Sequence, residues 1–294
     1  MGNGKHLIVG CGYIGRRLGL ALSGQPLMAL VRSASSVQEL AALGIPGMPC
    51  DLDQPVEIPL STAGVDVWYL VPPPRLGEKD PRLGHFLQAL EDNGQPRRIV
   101  LISTTGVYGD CQGEWVDETR PPAPVVGRAR RRLDAEQQLQ QWGRRTGGEW
   151  VILRVAGIYG PGKLPLERLR QGKPMVAEKD APWTNRIHAH DLVQVCLAAM
   201  KRGRSGGIYN VTDGQPGNMA QYFMRVAEMA NLPPPPLIDP TQAGSSLSVG
   251  MRSYLAESRR IDNRRMLREL AVNLRYPDLE SGLKACFHDN GALE

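Results

Sequence analysis

Short apolar runs alternate with amphipathic segments along the first 156 residues of the chain. The apolar runs predict strands at Leu7–Val9, Pro26–Val31, Met48–Cys50, Val65–Val71, Arg98–Ser103 and Trp150–Arg154. Apolar side chains at helical spacing predict helices that begin near Ile14 and that span Val37–Leu43, Pro81–Glu91 and Arg128–Trp142. Because strands and helices alternate, we expect an α/β fold with a parallel sheet and helices on both of its faces.

The pattern is less regular beyond Ala156. Further helices are predicted at Leu164–Arg170, His190–Met200, Met219–Ala230, Asn263–Leu270 and Leu279–Phe287, and strands at Pro174–Val176 and Ile208–Val211. We therefore divide the chain into a sheet domain of residues 1–156 and a smaller, mostly C-terminal region of residues 157–294. Late segments of that region are expected to return to the sheet.

A glycine-rich turn connects the first predicted strand to the first helix. It reads V-G-C-G-Y-I-G, with glycines in the G-x-G-x-x-G spacing. Gly10 allows the tight turn, Gly12 lets a pyrophosphate approach the backbone, and Gly15 lets the helix pack on the strand. The helix N-terminus offers free N–H groups to phosphate oxygens. The context predicts a Rossmann-type, doubly wound sheet with a dinucleotide at Gly10, Gly12, Tyr13, Ile14 and Gly15. The alternative is a glycine-rich turn without a ligand.

The end of the second predicted strand distinguishes NADP from NAD. An acidic side chain there accepts hydrogen bonds from the ribose 2′-hydroxyl of NAD, whereas an arginine pairs with the 2′-phosphate of NADP. In this chain Arg32 and Ser33 follow the strand, and the first acidic residue is Glu39. We therefore predict NADP rather than NAD, although Arg32 could also be an ordinary exposed arginine. Asp51 and Leu52 follow the third strand, where they could contact the adenine edge or, for Asp51, simply form a turn.

Composition narrows the class of protein without naming a ligand. The chain has 294 residues, 41% of them hydrophobic and 22% charged, which is ordinary for a globular protein. No apolar run approaches the roughly 18 residues of a membrane span, and no secretory pattern precedes the first strand. The five cysteines are scattered without a C-x-x-C pair, so we expect no disulfide framework, no metal site and a cytoplasmic location.

The charge of +5 is mild, and arginines concentrate at 128–132 and 252–275. No nucleic-acid motif or interleaved aromatic pattern accompanies them, so we expect neither a nucleic-acid nor a membrane partner. The first arginine run is either a solvated helix face or a site for an anionic nucleotide. A homodimer is left open.

The order of several motifs resembles the extended short-chain dehydrogenase/reductase family, the NAD(P)-dependent epimerase/dehydratase group. Residues 102–109 (I-S-T-T-G-V-Y-G) are similar to its fifth strand and the following turn, and residues 153–162 to its signature after the sixth strand. Residues 185–192, 207–211 and 258–277 are similar to its later segments. The resemblance implies an NAD(P)-dependent reaction on a small oxygenated substrate, such as a nucleotide sugar, with Thr104 at the position of the catalytic hydroxyl.

The chain departs from this family at the Tyr-x-x-x-Lys motif, which we place on Val126 to Arg130. Valine carries no proton, and arginine stays protonated, so Arg130 could orient the nicotinamide ribose but not act as a base. Such a chain resembles the atypical members of the family. Tyr108 or Tyr159 could replace the missing phenol. His188 and His190 also titrate near neutrality, unless they are surface residues at a helix start.

Two functions therefore stay open at this point. One is an NADP-dependent oxidoreductase or epimerase that uses Thr104, Arg130 and Tyr108. The other is a catalytically inactive NADP-binding sensor or interaction protein.

Overall fold

A central parallel sheet organises the structure, a computed structural model that describes residues 5–288. The strands are β1 (His6–Val9), β2 (Leu27–Val31), β3 (Gly47–Pro49), β4 (Asp66–Tyr69), β5 (Arg98–Thr104), β6 (Trp115–Val116), β7 (Glu149–Val155), β8 (Gly157–Tyr159), β9 (Met175–Val176), β10 (Trp183–Thr184), β11 (Arg186–His188), β12 (Gly207–Val211), β13 (Gly217–Asn218), β14 (Leu237–Ile238) and β15 (Arg260–Ile261).

The α-helices are α1 (Tyr13–Ala21), α2 (Ala34–Ala41), α3 (Pro81–Asn93), α4 (Gly127–Thr146), α5 (Leu166–Arg170), α6 (Ala189–Arg202), α7 (Met219–Met229), α8 (Ala243–Ser246), α9 (Val249–Leu255), α10 (Arg264–Leu270) and α11 (Leu279–His288). Short 3₁₀ helices cover Thr105–Tyr108, Glu178–Asp180 and Pro240–Gln242.

Seven strands form the main sheet in the order β3-β2-β1-β4-β5-β7-β12, and every neighbouring pair is parallel. The α/β fold with a doubly wound parallel sheet is thus confirmed. The edge strand β12 comes from beyond residue 156 and pairs with β7. Chain segments from both halves of the sequence therefore build one sheet.

Successive residues along the strands face opposite sides of this sheet and pack into two separate cores. Ile8 and Val100 face a core that includes residues of α1 and α6, whereas Leu7 and Ile99 face one that includes residues of α3 and α4. This alternation follows from the two-residue period of a strand. It explains why the buried strands read as continuous apolar runs.

A smaller region packs beside the carboxyl ends of the strands. Its core joins residues of α5, α7 and α11 with Tyr159, which lies at the end of β8. Four two-stranded ladders, β8–β11, β9–β14, β10–β13 and β6–β15, connect its segments. These ladders bring residues from distant parts of the chain to the carboxyl edge of the main sheet, where ligands bind in open α/β sheets.

Helix α4 extends beyond the predicted Trp142 to Thr146. Gly147 then adopts a left-handed conformation with φ of 72°, and its N–H donates to the carbonyl of Gly143. Glycine ends helices in this way because it lacks the side chain that disfavours positive φ. The N-terminus of α4 lies at Gly127, with Val126 as the N-cap residue. Arg128 to Arg132 therefore lie in the first two turns of this helix.

Candidate active site

A cavity of about 570 Å³ opens at the carboxyl ends of β1, β2 and β4, around the glycine-rich turn. The structure brings together here the residues that the sequence predicts to contact a dinucleotide at the glycine-rich turn and after β2 and β3, namely Gly10, Gly12, Tyr13, Ile14, Gly15, Arg32, Ser33, Asp51 and Leu52. The volume lies within the range of small-molecule and cofactor sites.

The three glycines of the turn occupy distinct environments. Gly10 has φ of +88°, and a Cβ there would lie 2.8 Å from Val71. A Cβ on Gly15 would lie 3.0 Å from the Gly10 carbonyl oxygen, so this glycine permits close packing of α1 on the turn. A Cβ on Gly12 would meet nothing within 4 Å, because it would project into open space. This open space beside the N-terminus of α1 fits a phosphate group.

The end of β2 presents a cation and no carboxylate. Arg32 is exposed and lines the cavity. Ser33 caps α2, since its hydroxyl accepts from the Ser36 N–H at 3.3 Å. The next acidic residue, Glu39, forms an ion pair with Arg16 and does not line the cavity. Asp51, which does line it, accepts from the Asp53 N–H at 3.1 Å in a tight turn.

A second cavity of about 530 Å³ adjoins the first and shares four lining residues with it: Ile102, Arg132, Ile158 and Lys163. Thr104 lies in its wall at the end of β5. The Thr104 Oγ1 accepts from the Gly106 N–H at 3.1 Å and so caps the 3₁₀ turn that follows. This leaves the hydroxyl proton of Thr104 available to donate to a ligand.

Tyr108 does not reach this cavity. Its side chain is buried, and its hydroxyl donates to Asn210 Oδ1 at 2.7 Å. Burial raises the pKa of Tyr108 to about 12, with Arg154 above its ring opposing the shift. Tyr159 does line the cavity, but burial raises the pKa of its phenol far above the usual 10. Neither phenol therefore gives up its proton readily near neutral pH, as a general acid–base group must.

Neither histidine lines the second cavity. His188 was expected at the start of a helix, and it is the N-cap residue of α6, where its Nδ1 accepts from the His190 N–H at 3.2 Å. His188 is buried rather than at the surface, with its ring against Tyr159 and Tyr276. His190 follows on the first turn of α6.

The structure does not bring Arg130 to the cavity. Its guanidinium is on the outer face of α4 and pairs with Glu78. Val126 also lies outside the cavity lining. Arg128 and Arg132 instead line it, together with Ala129. These two arginines are four residues apart, so they lie one above the other on one face of the helix.

The part of the chain that the structure describes contains no helix long and apolar enough to cross a membrane. Within residues 5–288, no group of three His, Cys, Asp or Glu side chains is placed to hold a metal ion. The five cysteines are free thiols.

Comparison with known proteins agrees with this geometry. Residues 85–212 match the model of the NAD dependent epimerase/dehydratase family. This segment, from within α3 to just beyond β12, is similar to that family. Protein YeeZ of Escherichia coli (strain K12) is 29% identical over 290 residues, which cover 93% of this chain and 97% of that protein.

Two solved structures have the same fold. A functionally unknown conserved protein from Silicibacter pomeroyi is 34% identical, with a TM-score of 0.83 over 97% of this chain and 99% of that chain. The UDP-glucose 4-epimerase of Thermotoga maritima, solved with UDP-glucose, has a TM-score of 0.77 over 97% of each chain. At 18% identity this second likeness concerns the fold alone.

Four cations in the lining of the second cavity were not singled out from the sequence, although the run 128–132 was left open as a site for an anionic nucleotide: Arg128, Arg132, Lys163 and Arg186. Lys163 lines both cavities, and its Nζ lies 4.7 Å from the centroid of the Tyr13 ring. The sequence did contain a signal for this pair, because Arg128 and Arg132 are four residues apart at the beginning of a predicted helix. The packing of Ala129 on the Thr104 turn, which the sequence does not show, distinguishes that pair from Val126 and Arg130.

Proposed function

We propose that the protein binds NADP in the first cavity and acts as an oxidoreductase or epimerase on a small oxygenated substrate in the second. One observation carries this proposal: the two cavities meet at Ile102, Arg132, Ile158 and Lys163, and Thr104 lies just beyond the junction. A dinucleotide whose phosphates lie at the turn around Gly12 would point its nicotinamide end at this junction. NADP would supply the acceptor or donor of hydride.

The preference for NADP over NAD rests on the charges at the end of β2. Arg32 has a guanidinium that can bind a 2′-phosphate with two parallel hydrogen bonds. No carboxylate follows β2 directly to accept hydrogen bonds from a 2′-hydroxyl. The N-terminus of α2, which begins at Ala34, adds N–H groups on the same side.

The residues available for proton transfer are unusual for the family. We now assign its tyrosine and lysine positions to Arg128 and Arg132, because these two residues face the cavity at the required four-residue spacing. Thr104 then remains as the hydroxyl group, without a phenol beside it. General acid–base catalysis contributes typically 10²–10⁴-fold to a rate. We therefore expect slow turnover of ordinary substrates of the family, with nucleotide sugars as the first class to test.

The lack of a phenol beside Thr104 also favours a second candidate function. A protein that holds NADP without a proton carrier could report redox state or recruit a partner. The raised pKa values of Tyr108 and Tyr159 support this alternative, since they leave no substitute phenol among the residues that we named from the sequence. Steady-state NADPH oxidation against a panel of carbonyl substrates separates the two functions.

The cofactor itself is tested by calorimetry with NADP and NAD. A charge-assisted contact to the 2′-phosphate is worth about 1.5–3 kcal/mol, or roughly tenfold to a hundredfold in affinity. We expect NADP to bind more tightly by this factor, and Arg32→Asp to weaken NADP while sparing NAD. Equal affinity for both dinucleotides in the wild-type protein would refute the preference.

The free state of all five thiols supports a reducing compartment, and we propose the cytoplasm. We propose no nucleic-acid or membrane partner. A homodimer is a further possibility that sedimentation can test.

A further inference from the structure

The second cavity has an excess of positive charge. Five basic side chains line it, Arg128, Arg132, Lys163, Arg186 and Arg259, against the single carboxylate of Glu257. That carboxylate is already paired with Arg259 at 2.9 Å. Across residues 5–288, no carboxylate lies within ion-pair distance of the other four cations, in contrast to Arg130 on the outer face of α4.

Arg186 is the most buried of these cations. Its side chain is only 8% exposed, and its guanidinium lies over the Tyr222 ring at 4.2 Å. Its hydrogen-bond partner is the weak acceptor Met219 Sδ at 4.0 Å. Burial lowers the pKa of Arg186, with Asp213 and nearby phenols opposing the shift. A buried charge without a paired counter-ion is unfavourable, so an anionic ligand at this position would relieve the cost.

Asp213 does not fill the role of counter-ion. Its carboxylate accepts from the Gln215 N–H at 2.9 Å and forms no ion pair with Arg186, although the two charges attract each other over a longer distance. Burial raises the pKa of Asp213 to about 7, so this carboxyl is only partly ionised at neutral pH. The positive charge of Arg186 therefore remains directed at the cavity.

Arg128 and Arg132 line the same cavity as Thr104. Arg128 is held in place by the Ser253 hydroxyl and by the Tyr254 ring, whose centroid lies 4.3 Å from its guanidinium carbon. The Arg132 Nη1 donates to the Val71 carbonyl at 3.0 Å. A Cβ on Gly106 would lie 3.4 Å from Thr104 Oγ1 and 3.6 Å from the Ala129 Cβ, so the first turn of α4 packs directly on the Thr104 turn.

Resting on the function proposed above, we propose that the substrate is an acid whose carboxylate or phosphate is held by Arg128 and Arg132 beside Thr104. The planar fork of arginine matches both oxyanions with two parallel hydrogen bonds. This anion lies next to the carbon that exchanges hydride with the nicotinamide, and Arg186 binds a second anionic group of the same molecule. A substrate with a neutral sugar at the reacting end leaves the arginine pair without a partner.

The test uses calorimetry on the wild-type protein saturated with NADPH. The probes are malonate for a carboxylate, inorganic phosphate for a phosphoryl group, and propane-1,3-diol as a neutral molecule of malonate's length. We expect malonate or phosphate to bind and the diol not to bind. The anion that binds more tightly shows whether the site prefers a carboxylate or a phosphoryl group. Arg128→Gln should weaken that anion roughly tenfold to a hundredfold while leaving NADPH affinity unchanged.

Three further variants complete the test. Arg144→Gln removes an exposed arginine from the far end of α4 and should leave anion binding unchanged, because its charge is screened at that distance. Arg128→Lys keeps the positive charge but loses the planar guanidinium with its two parallel hydrogen bonds, so this variant should bind the anion more weakly than the wild type. Arg186→Gln should keep or raise Tm, since no ion pair is lost.

The outcomes separate the two proposals. Failure of NADPH itself to bind would refute the proposed function. NADPH binding without any anion binding, or an equal loss of anion affinity in Arg128→Gln and Arg144→Gln, would overturn the acid-binding site and leave the cofactor proposal standing. A fall in Tm of several degrees for Arg186→Gln would give that residue a structural role and overturn its assignment to a ligand.

Discussion

The two cavities differ in how the chain builds them. The residues predicted to hold the cofactor come from three short segments, 10–15, 32–33 and 51–52, each directly after a strand of one contiguous sheet. The residues of the second cavity come from segments scattered between 73 and 259, on strands, helices and loops. A site made of turns after consecutive strands can be recognised in a sequence, whereas a site assembled by distant segments depends on the register of each one.

Helix α4 shows how a small error in register misplaces a site. Residues two apart on a helix differ in direction by about 200°, so Arg130 and Arg132 cannot face the same cavity. A prediction that places the Tyr-x-x-x-Lys motif at Val126 rather than at Arg128 therefore selects residues on the outer face of α4. No local pattern in the run R-A-R-R-R marks which arginines point inward; packing of Ala129 on the Thr104 turn decides it.

The short ladders illustrate a second limit. Strands of two or three residues, such as β8, β10 and β13, are too short to show a period of two, and their pairing partners lie far away in the sequence. The long strands of the main sheet were predictable because their apolar runs are buried on both faces. Asn185, Arg186 and Trp183 reach the second cavity only through these short ladders.

The largest expected effect concerns the cofactor cavity. Gly12→Ala should abolish NADP binding with little change in Tm, because its methyl group would occupy the space of the pyrophosphate. Gly10→Ala should instead lower Tm, since φ of +88° and the contact with Val71 at 2.8 Å leave no room for a side chain. Calorimetry and thermal unfolding of both variants measure these effects. Unchanged NADP affinity in folded Gly12→Ala would show that the turn holds no phosphate.

A smaller effect sharpens the assignment on α4. Arg132 lines both cavities, so Arg132→Ala should weaken NADP binding about tenfold, the value of one charge-assisted hydrogen bond. Arg130→Ala should leave NADP affinity unchanged, because the guanidinium of Arg130 pairs with Glu78 outside the cavity. Titration of both variants decides between the two registers. A greater loss of NADP affinity in Arg130→Ala than in Arg132→Ala would instead support the assignment in which the motif begins at Val126.

A last effect, on stability rather than on binding, concerns buried charge beside the second cavity. The pKa of Asp213 is raised to about 7 by burial, so the folded protein holds a proton there that the unfolded chain releases near pH 4. Stability from this group is therefore greatest below pH 4 and falls as pH rises to 7, by about 1 kcal/mol per pH unit. Thermal unfolding between pH 5 and 8 should show this slope in the wild type and a shallower one in Asp213→Asn. The same dependence of Tm on pH in the wild type and in Asp213→Asn would contradict the raised pKa of Asp213.

A crystal structure of the protein with NADP tests the central claim, that the two cavities form one continuous site. We expect the 2′-phosphate on Arg32, the pyrophosphate at Gly12, and the nicotinamide ring at the junction of Ile102 and Ile158, with Arg128 and Thr104 facing the ring. A dinucleotide bound elsewhere, or a nicotinamide that turns away from Thr104, would contradict it.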